Sequence, residues 1–576
     1  MRRKNRSIAR GKRFIWLGVC LAPISMALAQ TPSAESAAQE LLRQQERERV
    51  LRQQQETSPD VRLERPAAAE QKRLPEEESP CFRIDHITLT GDAAERFEWA
   101  LSAANPGEDP AVGRCLGAAG ISTIMKRVQN AIVARGYVTT RVLAAPQDIK
   151  AGTLTLTLIP GRIRAIRFTG ESSPRATQWN AVPVAPGDIL NLRDIEQALE
   201  NFKRVPTADA DIQITPAESA DAKPGESDLV IAWKQGRPLR LNFSADDSGG
   251  KTTGKYQGSA TLSWDNPLAL NDLVYFNLNH DLIVGNGSGR GTHGYTVHYE
   301  VPYGYWLLGL TASGYRYHQS VAGATQTYTY AGASGNQEVA LSRVVQRDAR
   351  GKTTLSAKAW RKTSNNYIDD TEVLVQRRVE SGWEFGIGRS QNIGGAVLDA
   401  KISYKKGTGA FGALTAPEDA FGEGTARFRL ISVNLNLNAP FQWGSQKLRY
   451  VGEWRAQWSN TPLVPMDRFS IGGRYTVRGF DGENTLLGDR GWLMRNELGW
   501  SLSDTGQELY AGIDYGQVGG PSTGLLIGRR LAGAALGLRG RYKSLSWDFF
   551  IGAPLYKPKG FRTTNATFGF NLNWSY

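Results

Sequence analysis

The chain has 576 residues, with 69 basic and 56 acidic side chains for a formal charge of +13, and only three cysteines. Seven of the basic residues crowd the first thirteen positions, leaving 62 basic against 56 acidic elsewhere and no dense basic patch, which argues against nucleic-acid binding. His86, His280, His293, His298 and His318 make no metal-spaced pair, and neither a Gly-x-Ser-x-Gly elbow nor a phosphate loop occurs, so no cofactor, metal or catalytic centre is expected.

The chain opens as a secretory signal peptide, residues 1–29. MRRKNRSIARGKR is followed by the apolar FIWLGVCLAPISMALA and the small-x-small site Ala27-Leu28-Ala29. The apolar part is too short, and too interrupted by Pro23, to be the better read as a membrane anchor. Residues 30–56 are helix formers almost throughout, with Leu41, Leu42, Val50 and Leu51 as the only sizeable apolar side chains. Such a helix has no face to anchor a core; it is either solvated or lodged in a polar, water-filled cavity. Residues 57–79, with Pro59, Pro66 and Pro75, read as an extended linker.

Residues 80–160 and 161–237 read as two small α+β units of the same order: strand, helices, strand, strand. In the first, FRIDHITLTG, VTTRVLAA and LTLTLIPG are strands, and Ile121, Ile124, Met125, Val128 and Ile132 mark a helix face. In the second, IRAIRFTG, DIQITPA and DLVIAWKQ are strands, and Leu192, Ile195, Leu199 and Phe202 line a helix that Asn191 caps. Cleavage of the leader removes Cys20 and leaves Cys81 and Cys115. An even pair in an oxidising compartment forms a structural disulfide, worth roughly 3–4 kcal/mol by chain entropy.

Segments of period two recur through residues 238–576. Phe568, Phe570, Leu572, Trp574 and Tyr576 interleave with small or polar residues, as do Ile431, Val433, Leu435 and Leu437, and Leu448, Tyr450, Trp454 and Trp458. Long strands with Trp and Tyr on the apolar phase imply lipid outside and water inside a closed barrel. Candidate strands start near 239, 255, 273, 293, 306, 336, 352, 372, 383, 398, 427, 447, 491, 508 and 530, with two more in 545–576 and one earlier pair miscounted. Fourteen, sixteen or eighteen strands are open, with sixteen favoured by length. A signal peptide followed by such a barrel implies the bacterial outer membrane. Asp265-Asn266-Pro267, Pro302-Tyr303-Gly304 and Pro440–Ser445 are expected periplasmic turns; the interruption at 460–490 is an expected extracellular loop.

That interruption holds RFSIGGRYTVRGFDGENTLLGDRGW. With PCFRIDHITLTG, RGYVTTRVLAAPQDIKAGTLTLTLIPGRI and NLRDIEQALENFKRVP, it closely resembles the two-partner secretion transporters, the outer-membrane half of haemolysin, adhesin and contact-dependent toxin export, over the whole mature chain. The resemblance implies a transmembrane antiparallel β-barrel of about sixteen strands, preceded by a plug helix and two polypeptide-transport-associated (POTRA) domains in the periplasm. It implies that the loop folds into the lumen with the motif Val477-Arg478-Gly479-Phe480 at its tip, and that Arg478 meets Asp514 of Ile513-Asp514-Tyr515-Gly516. The strand phase agrees: Leu509, Ala511, Ile513 and Tyr515 are apolar, so Asp514 faces the lumen, with Gly512 and Gly516 leaving room beside it. A guanidinium makes a forked contact with a carboxylate that Lys cannot copy. The bland alternative is a solvated Arg in an exposed loop.

The expected partners are one large secreted exoprotein, outer-membrane lipid, and the barrel-assembly machinery reading Trp574 and Tyr576 as a carboxy-terminal signal. The POTRA units either capture an extended client by strand addition or only space the barrel. An insertase of other barrels, a passive solute porin, and a barrel lipase or protease are the competing readings.

Overall fold

A computed structural model describes residues 34–56, 59–63, 73–217, 220–282, 289–502 and 506–576. The signal peptide and its cleavage site lie outside these residues. Helix α1 spans Ala34–Gln55.

The first unit contains β1 (His86–Gly91), α2 (Ala118–Ala134), β2 (Arg141–Leu143) and β3 (Thr153–Ile159). Leu154, Leu156 and Leu158 alternate inward from β3 to meet Ile124, Val128 and Ile132 of α2, so period two packs against period 3.6. β3 is central, parallel to β1 and antiparallel to β2. The second unit repeats this with β4 (Arg162–Phe168), α3 (Leu192–Phe202), β5 (Ala208–Pro216) and β6 (Glu226–Gln235), β6 being parallel to β4 and antiparallel to β5. The Asn191 side chain accepts from Arg193 N at 2.9 Å and caps α3. Cys81 and Cys115 are disulfide-bonded, 5.3 Å apart at Cα, and join two short paired segments of the first unit.

The segment read as linker is a tether only in part. Leu74 is buried in the first unit's core, and the Glu78 carboxylate accepts from Gly117 N, Ala119 N and Gly120 N at 2.7–3.0 Å, closing the start of α2. Exposed amides at a helix start attract a carboxylate from wherever the chain can supply one.

The barrel strands are β7 (Leu239–Asp246), β8 (Gln257–Asp265), β9 (Leu273–Asp281), β10 (Arg290–Tyr303), β11 (Trp306–Ala322) and β12 (Thr327–Arg347). They continue as β13 (Gly351–Ile368), β14 (Arg378–Ile393), β15 (Ala396–Thr408), β16 (Arg429–Trp443) and β17 (Gln446–Ser459). The last five are β18 (Arg490–Leu502), β19 (Gln507–Gly519), β20 (Arg530–Tyr542), β21 (Leu545–Tyr556) and β22 (Thr567–Ser575). Each pairs antiparallel with its chain neighbour, and β22 closes on β7 from Asn571↔Asp246 to Ser575↔Asn242. The miscounted pair is 372 and 383: Thr371–Glu372 only turns back on the end of β13, and one strand, β14, follows.

Outward positions carry exposed apolar side chains along every side of the cylinder, among them Leu241, Leu262, Leu278, Val297, Leu341, Ile387, Ile513 and Phe568. An apolar surface this continuous needs lipid against it. No helix among the described residues is long and apolar enough to cross a membrane.

The second unit is docked on the periplasmic rim. Arg204 pairs with Glu300 at 3.3 Å, and Thr207 Oγ1 donates to Asp265 at 2.8 Å. Arg347, at the end of β12, donates to Glu196 (3.1 Å) and Glu200 (2.7 Å) of α3, and Lys352 reaches Glu200 at 2.8 Å. The same two carboxylates accept from the backbone of Val61 (3.1 Å) and Leu63 (2.9 Å), so the chain leaving α1 is laid along α3.

Candidate functional site

Residues 460–489 fold into the barrel. Phe469–Ile471 pairs antiparallel with Leu486–Gly488, and the tip between them reaches the wall formed by β18 to β21. Phe469, Ile471, Val477, Phe480 and Leu486 pack on Leu493, Val518, Leu531 and Phe561, which replaces water on one side of the loop with hydrocarbon.

The tip fits because the wall is carved away opposite it. A Cβ on Gly516 would lie 2.9 Å from Ile471 and Val477, and one on Gly552 would lie 2.9 Å from Gly479 Cα. Gly512 and Gly533 face the Arg478 side chain and carbonyl in the same manner. Gly479 has φ +94°, in the left-handed region, and its α-carbon abuts Ala553. Phe480 meets Phe561 edge to face at 5.8 Å.

Arg478 is 4% exposed and Asp514 is wholly buried. Nε donates to Asp514 Oδ2 at 2.8 Å and Nη2 to Oδ1 at 2.9 Å, while the Arg478 backbone N–H adds a third bond to Oδ2 at 2.9 Å. Nη1 donates to Glu497 Oε2 at 2.6 Å. Glu497 also accepts from Arg539 (2.6 Å), which donates to Glu508 (2.8 Å), which in turn accepts from Arg449 (2.8 Å). Alternating guanidiniums and carboxylates thus run along the lumen face of β17 to β20, and the loop supplies one member of that series. Charges placed this way satisfy one another in a partly dehydrated lumen.

Glu497, Arg539 and the glycines at 533 and 552 went unremarked in the sequence. A signal for Glu497 was present: Met494, Leu498 and Trp500 are exposed on the lipid side, so Arg495 and Glu497 fall on the lumen phase.

Helix α1 lies within the lumen, the cavity alternative of the sequence reading. Glu46 accepts from Arg455 at 2.5 and 3.2 Å, Arg52 donates to Glu338 at 2.9 Å, Tyr315 donates to Glu40 at 2.5 Å, and Glu56 accepts from Tyr275 at 2.9 Å. Arg43 donates to Gly482 O of the loop at 2.8 Å, so helix and loop also hold one another. Apolar contact is limited to a few side chains, among them Ala37 beside Tyr315, Leu41 beside Met466, and Leu51 beside Leu273 and Tyr275.

Trp574 and Tyr576 end the chain at the closing seam. Trp574 stacks on Phe243 at 5.6 Å, and the Tyr576 hydroxyl accepts from Arg237 at 3.3 Å.

Residues 225–540 match the family model of the haemolysin secretion/activation proteins ShlB/FhaC/HecB, with POTRA-domain models matching 82–161 (ShlB-type) and 162–216. The chain belongs to this family. It is an outer-membrane transporter of the two-partner secretion type, with its POTRA domains in the periplasm. The outer membrane transporter CdiB-2 of Burkholderia pseudomallei is 37% identical over 94% of this chain and 96% of its own length. The structure of CdiB from Acinetobacter baumannii superposes with a TM-score of 0.82 at 31% identity, covering 94% of this transporter and 99% of that chain. CdiB from Escherichia coli gives 0.80 at 26% identity over 96% and 100%. The family is one of transporters, and in this chain the loop and helix described above lie within the lumen.

Proposed function

We propose that this transporter recognises one large exoprotein, unfolded in the periplasm, through its POTRA domains and exports it through the barrel without ATP. The observation that carries the reading is the continuity of plug and receiver. Helix α1 lies in the lumen, and the chain that follows it lies on α3 of the second POTRA domain, held by Glu196 and Glu200. A client that engages this domain competes with chain attached directly to the plug. The edge strand β5 offers main-chain donors and acceptors to an extended client. Val477-Arg478-Gly479-Phe480, held by Asp514 beside Gly516, acts as the gate. Folding outside makes passage one-way because the folded product no longer fits the lumen. The exporter has no catalytic activity, binds outer-membrane lipid through its outward face, and is assembled by machinery that reads Trp574 and Tyr576.

Reconstitution in liposomes with an unfolded amino-terminal fragment of a candidate exoprotein tests the proposal. Passage of the fragment to the protected side is expected. Insertion of a second, unrelated barrel would replace export by an insertase, and a steady open conductance without any client would replace it by a porin.

A further inference from the structure

The second POTRA domain carries a large aromatic side chain that is mostly uncovered by protein. Trp179 is 63% exposed on a loop between β4 and α3. Its backbone neighbourhood is nonetheless tightly fixed. Asn180, buried, donates to Leu270 O (2.5 Å) and Pro302 O (3.1 Å), and Gly304 N donates to Asn180 O (2.8 Å). Asn271 donates to Thr177 O at 2.9 Å, and Arg175 to Pro267 O at 3.0 Å. The loop is therefore clamped between the β8–β9 and β10–β11 turns, and the indole is held out deliberately rather than by slack.

What it is held against follows from the barrel. Trp179 packs on Tyr303 at 5.9 Å, and Tyr303 is the last outward residue of β10, on the same phase as Tyr295 and Val297. Beside Tyr303 in the ladder stands Trp306, outward on β11, with the Arg343 guanidinium 5.0 Å above its ring. Trp264 at the end of β8 and Leu268 in the next turn are 48% and 64% exposed. Together these residues form an aromatic and arginine rim where the lipid-facing band ends at the periplasm, and such rims sit at headgroup depth. Trp179 continues that rim without a break onto the POTRA domain.

We propose that Trp179 is a membrane anchor: the second POTRA domain is seated in the headgroup layer of the periplasmic leaflet, with phospholipid as its partner at this loop. The domain is then fixed by two surfaces, the barrel rim and the bilayer, and its orientation beneath the pore depends on both. An indole suits the place because its apolar body and N–H match an interface with hydrocarbon on one side and water on the other.

The full mature chain, begun at Gln30, has Cys81 and Cys115 in their disulfide, so Trp179→Cys introduces a single free thiol. Labelled with an environment-sensitive fluorophore and placed in phosphatidylethanolamine–phosphatidylglycerol vesicles, it is read against lipids carrying a nitroxide at the headgroup or high on the acyl chain. Leu268→Cys, which keeps Trp179, serves as a depth ruler on the barrel turn, and Lys223→Cys, exposed at the POTRA–POTRA end of the domain, as the aqueous control. The expected result is quenching at 179 at least twofold above that at 223, with a depth matching 268. Quenching at 268 but not at 179 overturns the proposal. So does protection of 179 that tracks protein concentration rather than nitroxide, which would assign the surface to a second copy.

Discussion

Replacing Arg478 by Ala removes four side-chain bonds, at 2.8 and 2.9 Å to Asp514, 2.6 Å to Glu497 and 3.5 Å to Asn496 O. Glu497 keeps Arg539, but Asp514 is left wholly buried with one backbone N–H and the Arg495 Nε at 3.9 Å. One-sided loss of a buried pair costs about 3–5 kcal/mol. On the loop's docking equilibrium that is a factor of about 150 to 5,000. The apolar contacts of Phe469, Val477 and Phe480 persist, so the loop loosens rather than leaves. Amide hydrogen exchange over residues 469–488 in the purified barrel should report faster opening by that factor, with heat-modifiable migration on gels unchanged. Export of the partner falls. Removing Asp514 as well takes away the uncompensated carboxylate, so the double variant should lose less than the sum of the two single variants. Protection unchanged in Arg478→Ala, or strict additivity in the cycle, would refute the claim that this pair holds the loop.

Gly479→Ala places a side chain at φ +94° against Ala553, and should raise exchange in the same peptides as much as Arg478→Ala does while leaving the charge series intact. Changing both Cys81 and Cys115 to Ser should lower the stability of the first POTRA domain by about 2–5 kcal/mol, seen as selective loss of protection in residues 82–161 with the barrel strands unaltered. In the second POTRA domain, the Arg164 hydrogen bonds hold the Asp228 carboxyl below its ordinary range. A depressed carboxyl contributes stability that is full above its unfolded pKa, near 4, and is lost as pH falls through the lower folded value. Exchange in β6 should therefore accelerate on acidification below about pH 4, a dependence that Asp228→Asn flattens.

The strands were legible because two solvents act on them. Lipid and water select opposite side chains at alternate positions, so β16, β17, β19 and β22 announce themselves in sequence. The false start near 372 arose where Thr371–Glu372 and the helical turn at 374–376 mimic a short strand before β14 begins. Asp514 was legible because its phase is odd against Ile513 and Tyr515, and its pairing with Arg478 came through the family likeness. The pairing of Glu497 with Arg539 was not, since a charged residue on a lumen phase looks alike whether it faces water or a partner. The other faces of α3 show the same limit. Leu192, Ile195, Leu199 and Phe202 were read as its packed side, yet Arg193, Glu196 and Glu200 are as deeply buried, against residues 61–63 and the end of β12. Hydrophobic periodicity registers hydrocarbon burial and is silent about polar burial.

The chemistry of α1 bears on how a closed pore can ever reopen. Most ties between this helix and the wall join groups that water hydrates well: Glu46 with Arg455, Arg52 with Glu338, Glu40 with Tyr315. On withdrawal, every lost bond is replaced by a hydration bond of comparable strength, and little hydrocarbon is exposed. A greasy cork would be trapped by the solvent on either side of it. Were this one withdrawn, the groups it uncovers would be hydrated at once, so polar ties hold it without trapping it.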